Sequence, residues 1–195
     1  MKTMFKTIFI SVIAATVMAL AIGPAGARAQ VSQQSVRAVL SQHFHGSEHV
    51  GFVRVASASG ERTSIERRIG ARLAKSQYTV FVATTGGRVD GYAVFDQERG
   101  QHELIDFAVF LDARGAVTGV EVLTYREPYG DAIRGGRFRA QFVGRSGSSG
   151  FRSGHDIDVV SGATISARAM CVGVQRAVVL VDTLLSNERE VHASR

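Results

Sequence analysis

Thr164 closes the run Asp158-Val159-Val160-Ser161-Gly162-Ala163-Thr164, set just before the most apolar stretch of the chain downstream of residue 29. Small and hydroxyl side chains make a poor strand and a poor helix interior. The run therefore reads as a loop that ends where a helix begins. A helix start presents unpaired backbone N–H groups and the positive end of the macrodipole, a combination that accepts phosphate. Gly162 and Ala163 leave room for a ligand or a modifying enzyme to approach, and Thr164 offers a hydroxyl at the same point. A phosphate ester there keeps about one negative charge, which the helix end favours. Arg168, one turn on, either lies near that charge or simply faces solvent. The same residues admit a plainer reading, in which Ser161 or Thr164 caps the helix and Asp158 sits in the preceding turn.

Other elements must position this loop. From Ser166 to about Glu188 the chain is helical in pattern, with Met170, Val174, Ala177, Val181 and Leu184 on one stripe and Val178 and Leu185 beside it. A helix this apolar should lie largely buried against a sheet. The middle of the chain supplies that sheet. Residues 77–85, 91–96, 103–112 and 116–125 are β-branched and apolar, and Gly86-Gly87, Gly100 and Asp112-Ala113-Arg114-Gly115 interrupt them. Short glycine-containing breaks between such runs predict an antiparallel meander. Upstream, Val36, Leu40 and Phe44 at spacing four predict a short helix over 31–44 with Ser32 as its N-cap. Ile65, Ile69 and Leu73 predict another over 61–75, weakened by Gly70. Residues 126–146 read as loop with a short helical turn. The fold class expected is α+β, an antiparallel meander packed against helices that include a buried C-terminal one.

The seven-residue run matches D-x-x-[ST]-G-A-T, and on that motif the chain resembles the FMN-binding domain family. That family includes the FMN-carrying periplasmic subunits of sodium-pumping NADH:quinone reductases and Rnf-type complexes, and small exported flavoproteins. The likeness runs from about Leu73 to Leu185, through Tyr92, His102, Val120, Tyr125-Arg126-Glu127-Pro128-Tyr129-Gly130 and Gln141-Phe142-Val143-Gly144. In the family a flavin transferase joins the FMN phosphate to the last Thr of the motif as a phosphoester. The resemblance thus implies FMN on Thr164, with Ser161, Gly162 and Ala163 shaping the phosphate site. It implies that Asp158 serves recognition by the transferase, that Ser166 touches the phosphate, and that Glu127, Tyr129 and Gly130 lie near the flavin ring. The family's loop usually reads E-T-P-G-L-G; here it is Glu127-Pro128-Tyr129-Gly130. The implied role is electron carrier between membrane or extracytoplasmic redox proteins, rather than an enzyme with its own small-molecule substrate. The alternative is a non-redox sensory or assembly module of the same fold with weak or no flavin binding. A flavin-dependent reductase ranks third, because no substrate pocket can be named.

Compartment follows from the N-terminus. Lys2 and Lys6 precede an apolar stretch, Thr7 to Ile22, and Ala27-Arg28-Ala29 has the small-x-small form of a cleavage site, so residues 1–29 read as an export signal. The expected location is periplasmic, or membrane-anchored should the signal stay uncleaved. Residues 30–195 then form a single domain of 166 residues. Losing Lys2, Lys6 and Arg28 lowers the basic count from 23 to 20 against 17 acids, a net charge of +3 rather than +6. That balance is too mild and dispersed to argue for nucleic acid. Cys171, the lone cysteine, lies in an apolar run and reads as a small buried hydrophobe. No CxxCH, GxSxG, HExxH or P-loop occurs. His43, His45 and His49 crowd into seven residues, but their spacing matches no metal motif with a stated mechanism. Arg134, Arg137 and Arg139 form a small basic cluster that reads as a solvated face.

Overall fold

The computed structural model describes residues 33–56, 59–127 and 131–193. The expected signal at 1–29 and the N-cap at Ser32 lie outside them. Five strands form one antiparallel sheet in sequence order: β1 (His49–Ala56), β2 (Gln77–Thr85), β3 (Arg88–Arg99), β4 (Leu104–Asp112) and β5 (Val117–Thr124). The helices are α1 (Gln33–His43), α2 (Ser59–Ile69), the short α3 (Gly136–Ala140) and α4 (Thr164–Ala193), with a 3₁₀ turn at Asp131–Arg134. The α+β meander and its buried C-terminal helix are as the sequence leads one to expect.

The hairpin turns follow from their residues. Gly86 and Gly87 both take positive φ, 56° and 75°, which the twist-matched two-residue turn between β2 and β3 requires. Between β4 and β5 the Asp112 carboxylate accepts the N–H groups of Arg114 and Ala116, each at 2.9 Å. That self-bonding is the usual reason an aspartate opens a turn.

Apart from Asp106, buried and bonded by the Gln97 amide at 2.5 Å, the middle of β4 is apolar on both sides because both sides are covered. Ile105, Phe107, Val109 and Leu111 face the main core, where Met170, Val174, Ala177 and Val178 of α4 and Ile65 and Ile69 of α2 pack. Ala108 and Phe110 face the other way, with Leu40 of α1 and the half-buried Val36, Val39 and Phe44. The apolar stripe of α4 lands as expected: Met170, Val174 and Val181 are fully buried, and Leu184 packs at the margin. Thr164–Ser186 is long and apolar enough to cross a bilayer by length and composition. Here its apolar face is spent on the sheet instead.

Three sequence expectations need correction. His49–Ala56 is a strand, β1, that the sequence reading passed over, although HVGFVRVA carries β-branched and aromatic residues throughout. The helix expected over 61–75 stops at Ile69, because Gly70 adopts φ 65° and ends it, leaving Leu73 buried in an irregular segment. α4 begins at Thr164 rather than Ser166, so the hydroxyl of interest belongs to the first helical residue.

Candidate functional site

The segment ahead of α4 is held by its own polar groups. Asp156 accepts the backbone N–H of Arg152 at 2.8 Å and pairs with His155 Nδ1 at 2.8 Å and Arg152 Nε at 3.2 Å. The backbone donor and these two side chains hold its carboxyl well below the usual carboxylate range. A Cβ on Gly150 would stand 2.5 Å from that carboxylate, so the glycine there is a packing requirement. Arg145 ties the loop from the other side. It donates to the Gln141 carbonyl at 2.8 Å, to the Gly150 carbonyl at 2.7 Å and to the Asp156 carbonyl. The Gln141 side chain accepts the N–H of Asp158 at 2.8 Å. Cys171 lies beneath, buried as expected, and burial pushes its thiol up to about 11.

This frame fixes where the motif turns. Ala163 donates its N–H to the Val160 carbonyl at 2.9 Å, and its own carbonyl accepts the Ala167 N–H at 2.8 Å. Ala163 therefore occupies the N-cap of α4. Alanine has no side-chain oxygen for the first-turn N–H groups, which is why it is disfavoured at this position. The plainer reading, with Ser161 or Thr164 as N-cap, does not describe this helix start. Ala163 is buried, whereas Ser161, Gly162 and Thr164 are exposed. Gly162 takes φ 76°, and a Cβ there would meet nothing within 4 Å. Its absence of a side chain thus serves the backbone, and the space above it stays open to an incoming group.

The remaining candidates separate. Asp158 and Arg168 are exposed. Ser166 is buried, and its Oγ accepts from the Tyr125 hydroxyl at 3.4 Å, which brings the end of β5 beside the first turn of α4. A buried Ser166 supports that turn from below. Glu127 holds the β3–β4 turn: its Oε1 accepts the N–H groups of His102 at 2.8 Å and Glu103 at 3.1 Å. Desolvation opposes ionisation there, and these backbone donors outweigh it, so the carboxyl sits below its ordinary value. A Cβ on Gly100 would overlap the same carboxylate. Tyr129 and Gly130 lie outside the described residues.

The arginine cluster is not a uniform solvated face. Arg139 donates to the Arg134 carbonyl at 2.9 Å and to the Val120 carbonyl at 2.8 Å, tying α3 to β5. The histidines do not converge. His43 stacks on Phe110 with ring centroids 3.7 Å apart, His45 contacts the Gln42 carbonyl, and His49 opens β1. Among the described residues no group of three potential ligands could hold a metal.

A second polar centre, on the face of the sheet that α4 covers, escaped the sequence reading. Arg176 is buried and pairs with Asp96 at 2.6 Å and Glu98 at 2.5 Å, while Lys75 reaches the other Asp96 oxygen at 2.6 Å. Lys75 and Arg176 both lie 5.6 Å from the centre of the Tyr78 ring. The two carboxylates keep the Arg176 guanidinium charged against the desolvation that opposes it. A cleft of about 320 Å³ opens beside this cluster, lined in part by Arg72, Arg99 and Val172. Arg176 stands twelve residues beyond Thr164, ~18 Å along the helix. The signal in the sequence is a lone arginine inside an apolar helix, but its partners lie about eighty residues upstream.

Comparison with known proteins bears on the motif. The sequence profile of a family described as FMN-binding domain matches residues 100–179. No curated protein matches the chain. Among solved structures, that of Shewanella oneidensis NqrC is similar at 16% identity and a TM-score of 0.47, covering 80% of this chain and 91% of that one. The resemblance first read from Asp158–Thr164 is borne out by the profile match, which includes that motif and runs from Gly100 at the β3–β4 turn into α4.

Proposed function

We propose that the protein is an exported flavoprotein electron carrier with FMN joined through its phosphate to the Thr164 hydroxyl. The observation that carries this reading is an exposed threonine at the first position of α4, directly after an N-cap residue that supplies no side-chain acceptor. The FMN-binding domain over 100–179 supports the cofactor. An ester phosphate at Thr164 would meet the first-turn N–H groups and the helix dipole, an interaction worth ~0.3–1 kcal/mol at an exposed site. Open space over Gly162 suits the approach of a flavin transferase. Ser161 and Gly162 would flank the phosphate, Asp158 would be read by the transferase, and Ser166 would steady the turn through Tyr125. FMN supplies one- and two-electron redox chemistry; the chain positions it and controls its exposure. Donor and acceptor would be membrane or extracytoplasmic redox proteins, and covalent attachment would prevent loss of the flavin outside the cytoplasm.

Intact-mass measurement of the protein coexpressed with a flavin transferase tests this. The expected result is a gain equal to FMN less one water, absent in Thr164→Val. No gain, or a gain that persists in Thr164→Val, overturns the reading. The same spectrum reports whether residues 1–29 have been removed.

A further inference from the structure

The two edges of the sheet are treated differently. β5 is closed off: Val117 exchanges backbone bonds with Gly144 and Arg145, its N–H reaching the Arg145 carbonyl and its carbonyl accepting the Gly144 N–H, each at 2.8 Å. Arg139 covers the Val120 carbonyl of the same strand at 2.8 Å. β1 has no counterpart. It pairs with β2 over all eight residues, and among the described residues no loop backbone bonds to its other side. An open strand edge is a row of donors and acceptors that another strand can complete.

The side chains of β1 fit such pairing. Phe52 is 60% exposed and Val53, on the opposite face, is 43% exposed. No proline interrupts the strand, and Arg54 is its only arginine or lysine. Phe52 is also the open end of an aromatic row across the sheet. It meets Phe81 at 6.5 Å, Phe81 meets Phe95 at 5.5 Å, and Phe95 meets Phe110 at 6.4 Å. From Phe110 inward the row is covered by His43 of α1 and by Phe44; at Phe52 it ends on the exposed edge, with only the Arg54 guanidinium of the same strand 5.9 Å from the ring centre.

We infer that two copies of this chain associate through β1, antiparallel about a twofold axis at Phe52, to form a continuous ten-stranded sheet. Twofold symmetry with residue-to-residue pairing places a residue opposite itself, and Phe52 is the choice that continues the aromatic row across the axis. In that register Arg54 lies opposite Val50 and His49 opposite Val55, so no like charges face each other. Opposed aromatic pairs of this kind are favourable in sheets. The strand can thus pair with a second copy of itself through apolar side chains, with no like charges opposed.

Sedimentation velocity on protein expressed from the full 195-residue sequence is the first test. A dimer that dissociates on dilution is expected, and Phe52→Lys, which sets two ammonium groups opposite each other, should leave a monomer that melts as the parent does at concentrations where the parent is itself monomeric. A parent protein that stays monomeric at hundreds of micromolar overturns the inference. So does a monomer whose β1 amides are nonetheless protected from hydrogen exchange, since residues upstream of α1 would then cover the edge. Oxidative crosslinking tests the register. Directly opposed residues have Cα atoms ~4.5–5.5 Å apart, within disulfide range. Phe52→Cys should therefore crosslink the dimer quantitatively. Arg54→Cys should not, because the two copies of residue 54 stand four residues out of step, ~13 Å. Buried Cys171 does not compete. Crosslinking at 54 in place of 52 overturns the proposed pairing.

Discussion

At its start α4 shows solvent the Thr164 hydroxyl, with exposed Gly162 just ahead of the helix; ~18 Å further on it buries Arg176 among Asp96, Glu98 and Tyr78. The first region is built from small, mostly exposed residues with open space above Gly162, and what constrains that glycine is its positive φ rather than packing. The second is built from charges that are stable only together, next to Gly173, where a Cβ would overlap the Phe107 ring. One helix thus separates a presenting end from an anchoring middle. The separation teaches that the chemistry of the motif and the stability of the domain should be independently removable.

The largest effect that tests this separation belongs to the anchor. Arg176→Ala leaves the 5%-exposed Asp96 with Lys75 alone and strands Glu98. Breaking a buried pair in this way costs ~3–5 kcal/mol, which urea unfolding would register as a lower midpoint at an unchanged slope. Gly173→Ala should cost ~1–3 kcal/mol by forcing α4 off β4 at Phe107. Gly162→Ala should cost ~1–2 kcal/mol for conformational reasons alone, since φ 76° is strained for any L side chain and nothing crowds the site. Thr164→Val comes last in stability, within ~0.5 kcal/mol of the parent, yet should abolish flavin attachment completely. A Thr164→Val protein that melts several degrees lower would break the comparison.

The loop before the motif adds a pH dependence that sharpens the contrast. The folded-state value of Asp156 is depressed, so its stabilising bonds are fully present at neutral pH, above the ordinary carboxylate range near ~4. They are lost only as pH falls below that range, through the depressed value. Amides of 150–157 should keep their exchange protection from neutral pH to about 4, and Asp156→Asn should weaken it already at pH 7. Core amides of α4 around Val178 should be indifferent to both changes.

Much of this organisation was legible in the chain, and the reasons are local. Periodicity in β4 and α4 is long and apolar, and Gly86-Gly87 can do little but turn. The motif announced its helix start to within two residues. β1 went unread because HVGFVRVA follows a histidine-rich loop and lacks clean alternation: Phe52 and Val53 are both exposed, as on an edge, and Val55 alone among the described side chains is buried. Arg176 went unread because a single charge in an apolar helix reveals its partners only once the strand bearing Asp96 and Glu98 is laid against it. Glu127 matched the family's loop near the flavin ring, but position in a motif does not show what a carboxylate bonds, and here it holds the turn at His102 and Glu103. Arg139 was similarly obscured, since carbonyl partners leave no mark in sequence.

The strands pair strictly with their sequence neighbours, so the sheet can assemble strand by strand as the chain emerges. Its main apolar face, covered only in part by α2 and the segments before α4, is not closed until α4, the last described element, docks onto it. Thr164 is therefore among the final residues to acquire a defined setting. On the proposed reading, FMN would therefore be joined to Thr164 in a finished domain, and chains arrested before that docking would be withheld from modification.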